Sequence, residues 1–288
     1  MKKIKISSPL NLHCASKENI SDYIKAGLEF HRDAGFENAD FGMGMLDLLS
    51  DGWKRDAENA VKYSEETGVS LDVCHLPFIG GGGKKDEEFY RIFDIKMHNA
   101  IDAAVILGAK NAVMHPTSPT VPLKSFNRAE AFDAVMAHLA PYVEHANKVG
   151  LNVVVENMRV IPAMRLSHRY CQDPDELCDV ADALGIGVCW DFGHANISGL
   201  KQSESLEYVG KRLKVIHVND NSGIDDDHVA PFMGNVDWKD AMRGLAIAEY
   251  EGVFNFELAT GRIPAAARIS YAKYLVDVAN ELMSYIEN

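Results

Sequence analysis

The chain has 288 residues, 47% of them hydrophobic and 25% charged, with a formal net charge of -13. That length and apolar content fit one barrel-sized domain, residues 1–288, better than two small ones. The acidic balance disfavours nucleic acid as a partner, because binding a phosphate backbone calls for a basic surface.

Short β-type runs alternate with longer amphipathic stretches, and the runs are read in chain order as eight strands. They are "KIKISSPL" at the start, "NADFGM" (38–43), "SLDVCHLP" (70–77), "NAVMHPTS" (111–118), "NVVVENM" (152–158), "GVCWDFGH" (187–194), "KVIHVND" (214–220) and "VFNFELA" (253–259). Helical patterns fill the gaps, as in 90–109, in 128–150 with a kink expected at Pro141, and in 173–185. The last of these opens with Asp173 at the cap position and Pro174 at the first helical position. "ETGVSLDV", "VGLNVVV" and "ALGIGVCW" each read helix, glycine, strand, the grammar of an αβ unit with a short return. Repetition of that unit predicts an α/β fold, a single (β/α)8 TIM barrel. An open doubly wound sheet would carry a glycine-rich phosphate turn after an early strand, and none stands there.

Cys14, Cys74, Cys171, Cys178 and Cys189 are odd in number, irregularly spaced and without a CxxC pair, so no disulfide framework is expected. The N-terminus lacks the apolar stretch of a signal peptide, and no run reaches membrane-spanning length. A cytoplasmic protein without membrane contact is the expectation, with homo-oligomer formation left open.

Six consecutive predicted strands end on an ionisable side chain or an imidazole. These are His75, His115, Glu156, Asp191 with His194 just beyond, His217 and Glu257. In a barrel those positions share the C-terminal rim, where active sites are built. Taken singly, an acid after an apolar run is more often a helix cap or an ion-pair partner. Set side by side, two glutamates make poor caps, and carboxylates crowded among imidazoles call for a divalent cation. Mixed oxygen and nitrogen donors suit Zn, Mn or Co, and no organic cofactor is expected. The loop "GIDDDHVAPFMGNVDW" (223–238) adds Asp226 and His228, two apart and able to share one metal, while Asp225 reads as a solvated turn residue. "FIGGGGKKDEE" (78–88) reads as a loop over the barrel mouth. Arg159, just past Glu156, is a candidate for a phosphate or carboxylate, with a surface ion pair as the equal alternative.

"VVVENM", "WDFGHANISG", "VIHVNDNSG", "DDDHVAPFMGNVDW" and "FEL" occur in the order and spacing of the xylose isomerase-like barrel superfamily, which the chain resembles over most of its length. The superfamily includes sugar phosphate isomerases and epimerases, tagatose 3-epimerase-like enzymes, inosose dehydratase and endonuclease IV. Resemblance to the epimerase branch implies one metal held by Glu156, Asp191, His217 and Glu257. It also implies Glu156 and Glu257 as catalytic acid and base, and His194 on substrate oxygens, with His75 a further substrate contact. That branch carries an Arg and a second Glu where this chain has Gly223 and Pro162. Resemblance to the endonuclease branch implies a multinuclear zinc site held by His75, His115, Glu156, Asp191, His194, His217, Asp226, His228 and Glu257. The expectation is a divalent-metal isomerase or epimerase acting on a sugar, sugar phosphate or polyol. The alternative is a multinuclear zinc hydrolase or phosphoesterase acting on a small molecule rather than DNA.

Overall fold

The computed structural model describes residues 4–13, 17–80, 84–161, 164, 166–259, 261 and 263–287. Its strands, in chain order, are β1 (Ile6–Pro9), β2 (Asn38–Gly42), β3 (Val73–His75), β4 (Asn111–Met114), β5 (Thr120–Pro122), β6 (Val153–Glu156), β7 (Ser167–Arg169), β8 (Gly187–Asp191), β9 (Leu213–His217) and β10 (Phe254–Asn255). Eight of them form one sheet in the order β10-β1-β2-β3-β4-β6-β8-β9. Every pairing in that sheet is parallel. A parallel bridge between Val218 and Phe256 joins the two ends, with Val218 N–H donating to Asn255 O and Glu257 N–H to Val218 O. The result is the expected (β/α)8 barrel.

The helices are α1 (Ile20–Ala34), α2 (Trp53–Thr67), α3 (Glu87–Ile106), α4 (Arg128–Val149), α5 (Pro174–Leu184), α6 (Phe192–Ile197), α7 (Gln202–Val209), α8 (Trp238–Ile247) and α9 (Arg268–Glu287). α4 runs on through Pro141. It ends where Gly150 turns to φ 77°, a left-handed conformation that closes the helix and starts the return to β6. Burial on both faces explains why β6 reads as the unbroken run Val153-Val154-Val155. Val73, Val113, Val154, Cys189 and Val215 pack together as a layer inside the barrel. Above that layer the interior turns polar.

Two features depart from the sequence reading. β8 stops at Asp191, and the next residues form the short helix α6 instead of extending the strand to His194. β5 and β7, in segments the sequence pattern assigns to no element, pair antiparallel as a small second sheet built from the connections after β4 and β6. Cys74, Cys171, Cys178 and Cys189 are free and buried, while Cys14 and Gly81–Gly83 of the glycine-rich loop lie outside the described residues. Among the described residues, no helix is long and apolar enough to cross a membrane.

Candidate metal centre

Parallel strands in one barrel end on one rim, so the strand-terminal side chains converge there. His75, Glu156, Asp191 and His217 are the last residues of β3, β6, β8 and β9. His115 directly follows β4, and Glu257 lies two residues beyond β10. Three of the groups whose possible donor atoms lie within 4.8 Å of one another carry the predicted residues: Glu156, Asp191, His217 and Glu257; His75, His115 and Glu156; and His194, Asp226 and His228. Glu156 belongs to two of them. All nine residues predicted as ligands are therefore gathered in one place.

The contacts suit shared cations better than a closed hydrogen-bond network. His217 Nδ1 lies 3.1 Å from Glu156 Oε1 and 3.1 Å from Glu257 Oε2. His75 Nε2 and His115 Nε2 are 3.0 Å apart, and His115 Nε2 is 3.1 Å from Glu156 Oε2. Asp226 Oδ1 is 3.3 Å from His228 Nε2, and Asp226 Oδ2 is 3.6 Å from His194 Nε2. Several of these approaches are close in distance but misdirected for hydrogen bonding. Among the described residues, Glu156 Oε2, Asp226 Oδ1 and Glu257 Oε2 are buried atoms that accept no hydrogen bond. Buried carboxylate oxygens without donors are costly, and a divalent cation among mixed oxygen and nitrogen donors would satisfy them. The residues present fit such an ion.

Charge within the site follows from this crowding. Burial opposes charge on His194, but the carboxylates of Asp191, Asp226 and Glu156 outweigh it and raise its pKa to about 9. Burial likewise works against His228, yet Asp226 and Glu257 raise it to about 10. His217 is also raised, against its burial, by Cys189, Glu257 and Glu156. Glu156 and Glu257 are held below the usual carboxylate range despite burial, chiefly by His217. Asp191 moves the other way, up to about 6, because burial dominates. Burial and then the neighbouring His115 lower His75, which favours the neutral form a metal requires.

These shifts set the pH behaviour of the metal-stripped protein. His194 and His228 are raised above their ordinary value, so their stabilisation is complete below about pH 6.5 and fades as pH climbs through 9 to 10. The depressed carboxylates contribute above their unfolded values, about 4.3 for glutamate, and lose that contribution on acidification. Thermal melts of metal-stripped protein are expected to peak between about pH 5 and 6.5. Melting temperatures that climb steadily from pH 6.5 to 9 would contradict this assignment.

A buried framework aims the ligands. Asp191 Oδ1 accepts from the His194 backbone N–H at 2.6 Å, capping α6, while Oδ2 accepts from Asn219 Nδ2 at 2.7 Å. Asn157 brackets the same residue, donating from Nδ2 to Asp191 O and accepting the Asp191 N–H at Oδ1. Asp191 is thus both a helix cap and a candidate ligand. Gly193 is required here because a Cβ at that position would overlap Asn219 Oδ1 and crowd Asn221 Nδ2. His228 sits at φ 48°, a left-handed conformation uncommon outside glycine, on the loop that brings Asp226 to the site.

Asp220 anchors that loop. Its Oδ1 accepts from the N–H groups of Asn221 and Val236, and its Oδ2 from Phe232 N–H and Trp238 Nε1. Asp220→Ala would strand four donors, three of them buried, at a cost of about 3–5 kcal/mol. Urea denaturation should show that loss together with weaker metal binding, and a midpoint unchanged from wild type would contradict it.

Arg159 makes neither a simple surface ion pair nor a free anion contact. Its Nε lies 3.0 Å from Asp226 Oδ2, so it is engaged by a candidate ligand. Asp225 is exposed, as expected of a turn residue. Four residues escaped the sequence reading. Asp40 on β2 forms a further possible group with His75 and His217, and its Oδ1 is buried without a partner. Asn157 and Asn219 looked like ordinary polar residues after strands, and only their contacts reveal a role. Arg169 stands in a segment to which the sequence pattern assigns no element. A cleft of about 720 Å³ opens over the site, lined by Phe78, Lys85, Tyr90, Arg159 and Arg169 among others. A larger cleft of about 970 Å³ lies at the opposite end of the barrel, where Asp72 pairs with Lys5 and Lys110. It contains none of the predicted ligands, and that end of such barrels ordinarily serves stability.

The parallel (β/α)8 barrel defines the class, and comparison with known proteins agrees. The profile of the xylose isomerase-like TIM barrel family matches residues 28–276, and the chain belongs to that family. It is 32% identical over 170 residues to the uncharacterised protein y4fM of Sinorhizobium fredii (strain NBRC 101917 / NGR234), covering 56% of this chain and 51% of that one. The chain thus spans about half the length of that relative. A solved D-tagatose 3-epimerase-like protein superposes with a TM-score of 0.71 at 21% identity, covering 96% of this chain and 99% of its own. D-psicose 3-epimerase from Clostridium cellulolyticum H10, solved with D-tagatose, superposes with a TM-score of 0.75 at 14% identity, covering 97% and 99%. At these identities the structural likeness shows the fold.

Proposed function

We propose that the protein is a divalent-metal-dependent isomerase or epimerase acting on a small sugar-like hydroxy-carbonyl compound. The observation that carries this reading is the placement of Glu156 and Glu257 on either side of His217, each 3.1 Å from its Nδ1 and each with a buried oxygen that accepts no hydrogen bond. Glu156, Asp191, His217 and Glu257 would hold the metal. When bound, such an ion supplies Lewis acidity that makes a C–H beside a carbonyl easier to ionise. Glu156 and Glu257, both held ionised, are the acid–base pair that removes and returns the proton. His194, fixed by its Nδ1 against Asn157 O, presents Nε2 toward the cleft for substrate oxygens. The sugar epimerases among its structural neighbours agree with a carbohydrate-like substrate. The test is deuterium incorporation from heavy water into a panel of ketoses, with Mn, Co or Zn supplied. Absence of exchange across the panel would overturn this reading.

A specific observation favours a second reading, a multinuclear zinc hydrolase. The groups His75, His115, Glu156 and His194, Asp226, His228 are more than a one-metal epimerase needs. Gly223 and Pro162 also stand where the epimerase branch carries Arg and Glu, Pro162 lying outside the described residues. Elemental analysis separates the two readings: one metal per chain supports the first, two or three the second.

A further inference from the structure

We propose that Arg169 forms, with Lys85 and Arg159, an anion subsite at one wall of the cleft, so that the substrate carries a phosphate or carboxylate group. The proposal rests on the reading of the rim as the reaction site and adds the charge class of what binds there.

Arg169 ends β7 and pairs across the small sheet with Thr120 of β5. That register fixes its backbone, and its side chain lines the cleft together with His75, Glu156 and Glu257. The residue is half-buried, and its guanidinium has no hydrogen bond or ion pair among the described residues. A partly desolvated cation without a partner is unusual, because exposed arginines pair cheaply and buried ones need a partner. Burial and the like charge of Arg159 both work against its protonated state, so the two cations stand close enough to repel. Arg159 is held at Asp226, and although the charges of Glu156 and Asp226 also favour Arg169, among the described residues no carboxylate pairs directly with its guanidinium. Lys85, exposed on the approach from β3, lines the same cleft and adds a third cation to a chain of net charge -13. A planar guanidinium suits the paired oxygens of phosphate or carboxylate.

The test uses the full-length protein, both metal-stripped and metal-loaded, titrated calorimetrically with inorganic phosphate, D-fructose 6-phosphate, D-gluconate and D-fructose. The anionic probes are expected to bind at least about tenfold more tightly than D-fructose. Arg169→Gln should weaken them about tenfold or more, and Arg169→Lys by less, with metal content unchanged in both variants. A preference for phosphate over gluconate, or the reverse, identifies the group. Wild-type affinity for the anions in Arg169→Gln, or equal affinity for D-fructose, would overturn the proposal. So would anion binding that appears only with metal and ignores Arg169. Failure of the metal-enzyme reading is seen separately, as absent metal binding or absent proton exchange, while the metal-stripped arm still reports on Arg169.

Discussion

Glu257→Gln is expected to lower turnover by about two to four orders of magnitude while leaving the fold intact. The amide keeps the size of the carboxyl group but carries no charge and cannot accept the proton. Glu257 meets His217 Nδ1 at 3.1 Å, His75 Nδ1 at 3.9 Å and His228 Nδ1 at 4.0 Å, so its charge reaches three imidazoles. Its side chain is 24% exposed and lies beyond the end of β10, so no core contact depends on it. Circular dichroism should therefore keep the native spectrum, while the metal-free melting temperature falls, because the depressed Glu257 carboxylate stabilises the stripped protein through its imidazole neighbours. Glu156→Gln should differ, because Glu156 is 1% exposed and belongs to more than one candidate ligand group. It is expected to lose turnover and to shed metal as well. Wild-type turnover in Glu257→Gln would remove this residue from the chemistry.

Metal removal is the second large effect. Chelation followed by dialysis should abolish activity and lower the melting temperature by about 5–15 °C. The estimate takes metal at 100 to 1,000 times its dissociation constant, worth about 2.7–4.1 kcal/mol per ion, and about 2–4 °C per kcal/mol for a domain somewhat smaller than this one. Without metal, protons on His194, His217 and His228 must offset the carboxylates, and those protons leave when metal enters. Uptake should therefore release protons and tighten as pH rises, opposite to the pH trend of the stripped protein. Scanning fluorimetry with and without chelator, read beside elemental analysis, measures both quantities. A melting temperature indifferent to chelator would argue against a resident ion.

The candidate ligands were legible because each depends on local pattern. Val153-Val154-Val155 before Glu156 and Val215-Ile216 before His217 mark strands, and in a parallel barrel every strand end faces the same rim. Asp226 and His228 were visible as a pair two residues apart. The supporting residues were not. Asn157 reaches Asp191 across 34 positions and Asn219 reaches it across 28, and no periodicity records such contacts. Asp40 escaped because β2 ends on Gly42, so its acid sits inside the strand rather than at the tip.

The stretch Gly187 to Gly199 shows where the division falls. Its sequence by itself determined that a buried strand ends near Asp191 and that an acid and an imidazole follow at the rim, because burial patterns and glycine stops act over a few residues. Only the tertiary structure decided that Asp191, besides capping α6, faces the candidate ligand group, and that His194 turns inward to Asp226 and Asn157. The same holds for Arg169, whose direction depends on β7 finding β5, two strands 44 residues apart between Pro122 and Ser167, a separation of 45 in register. Where a polar side chain points is set by packing from distant segments, which local propensity does not encode.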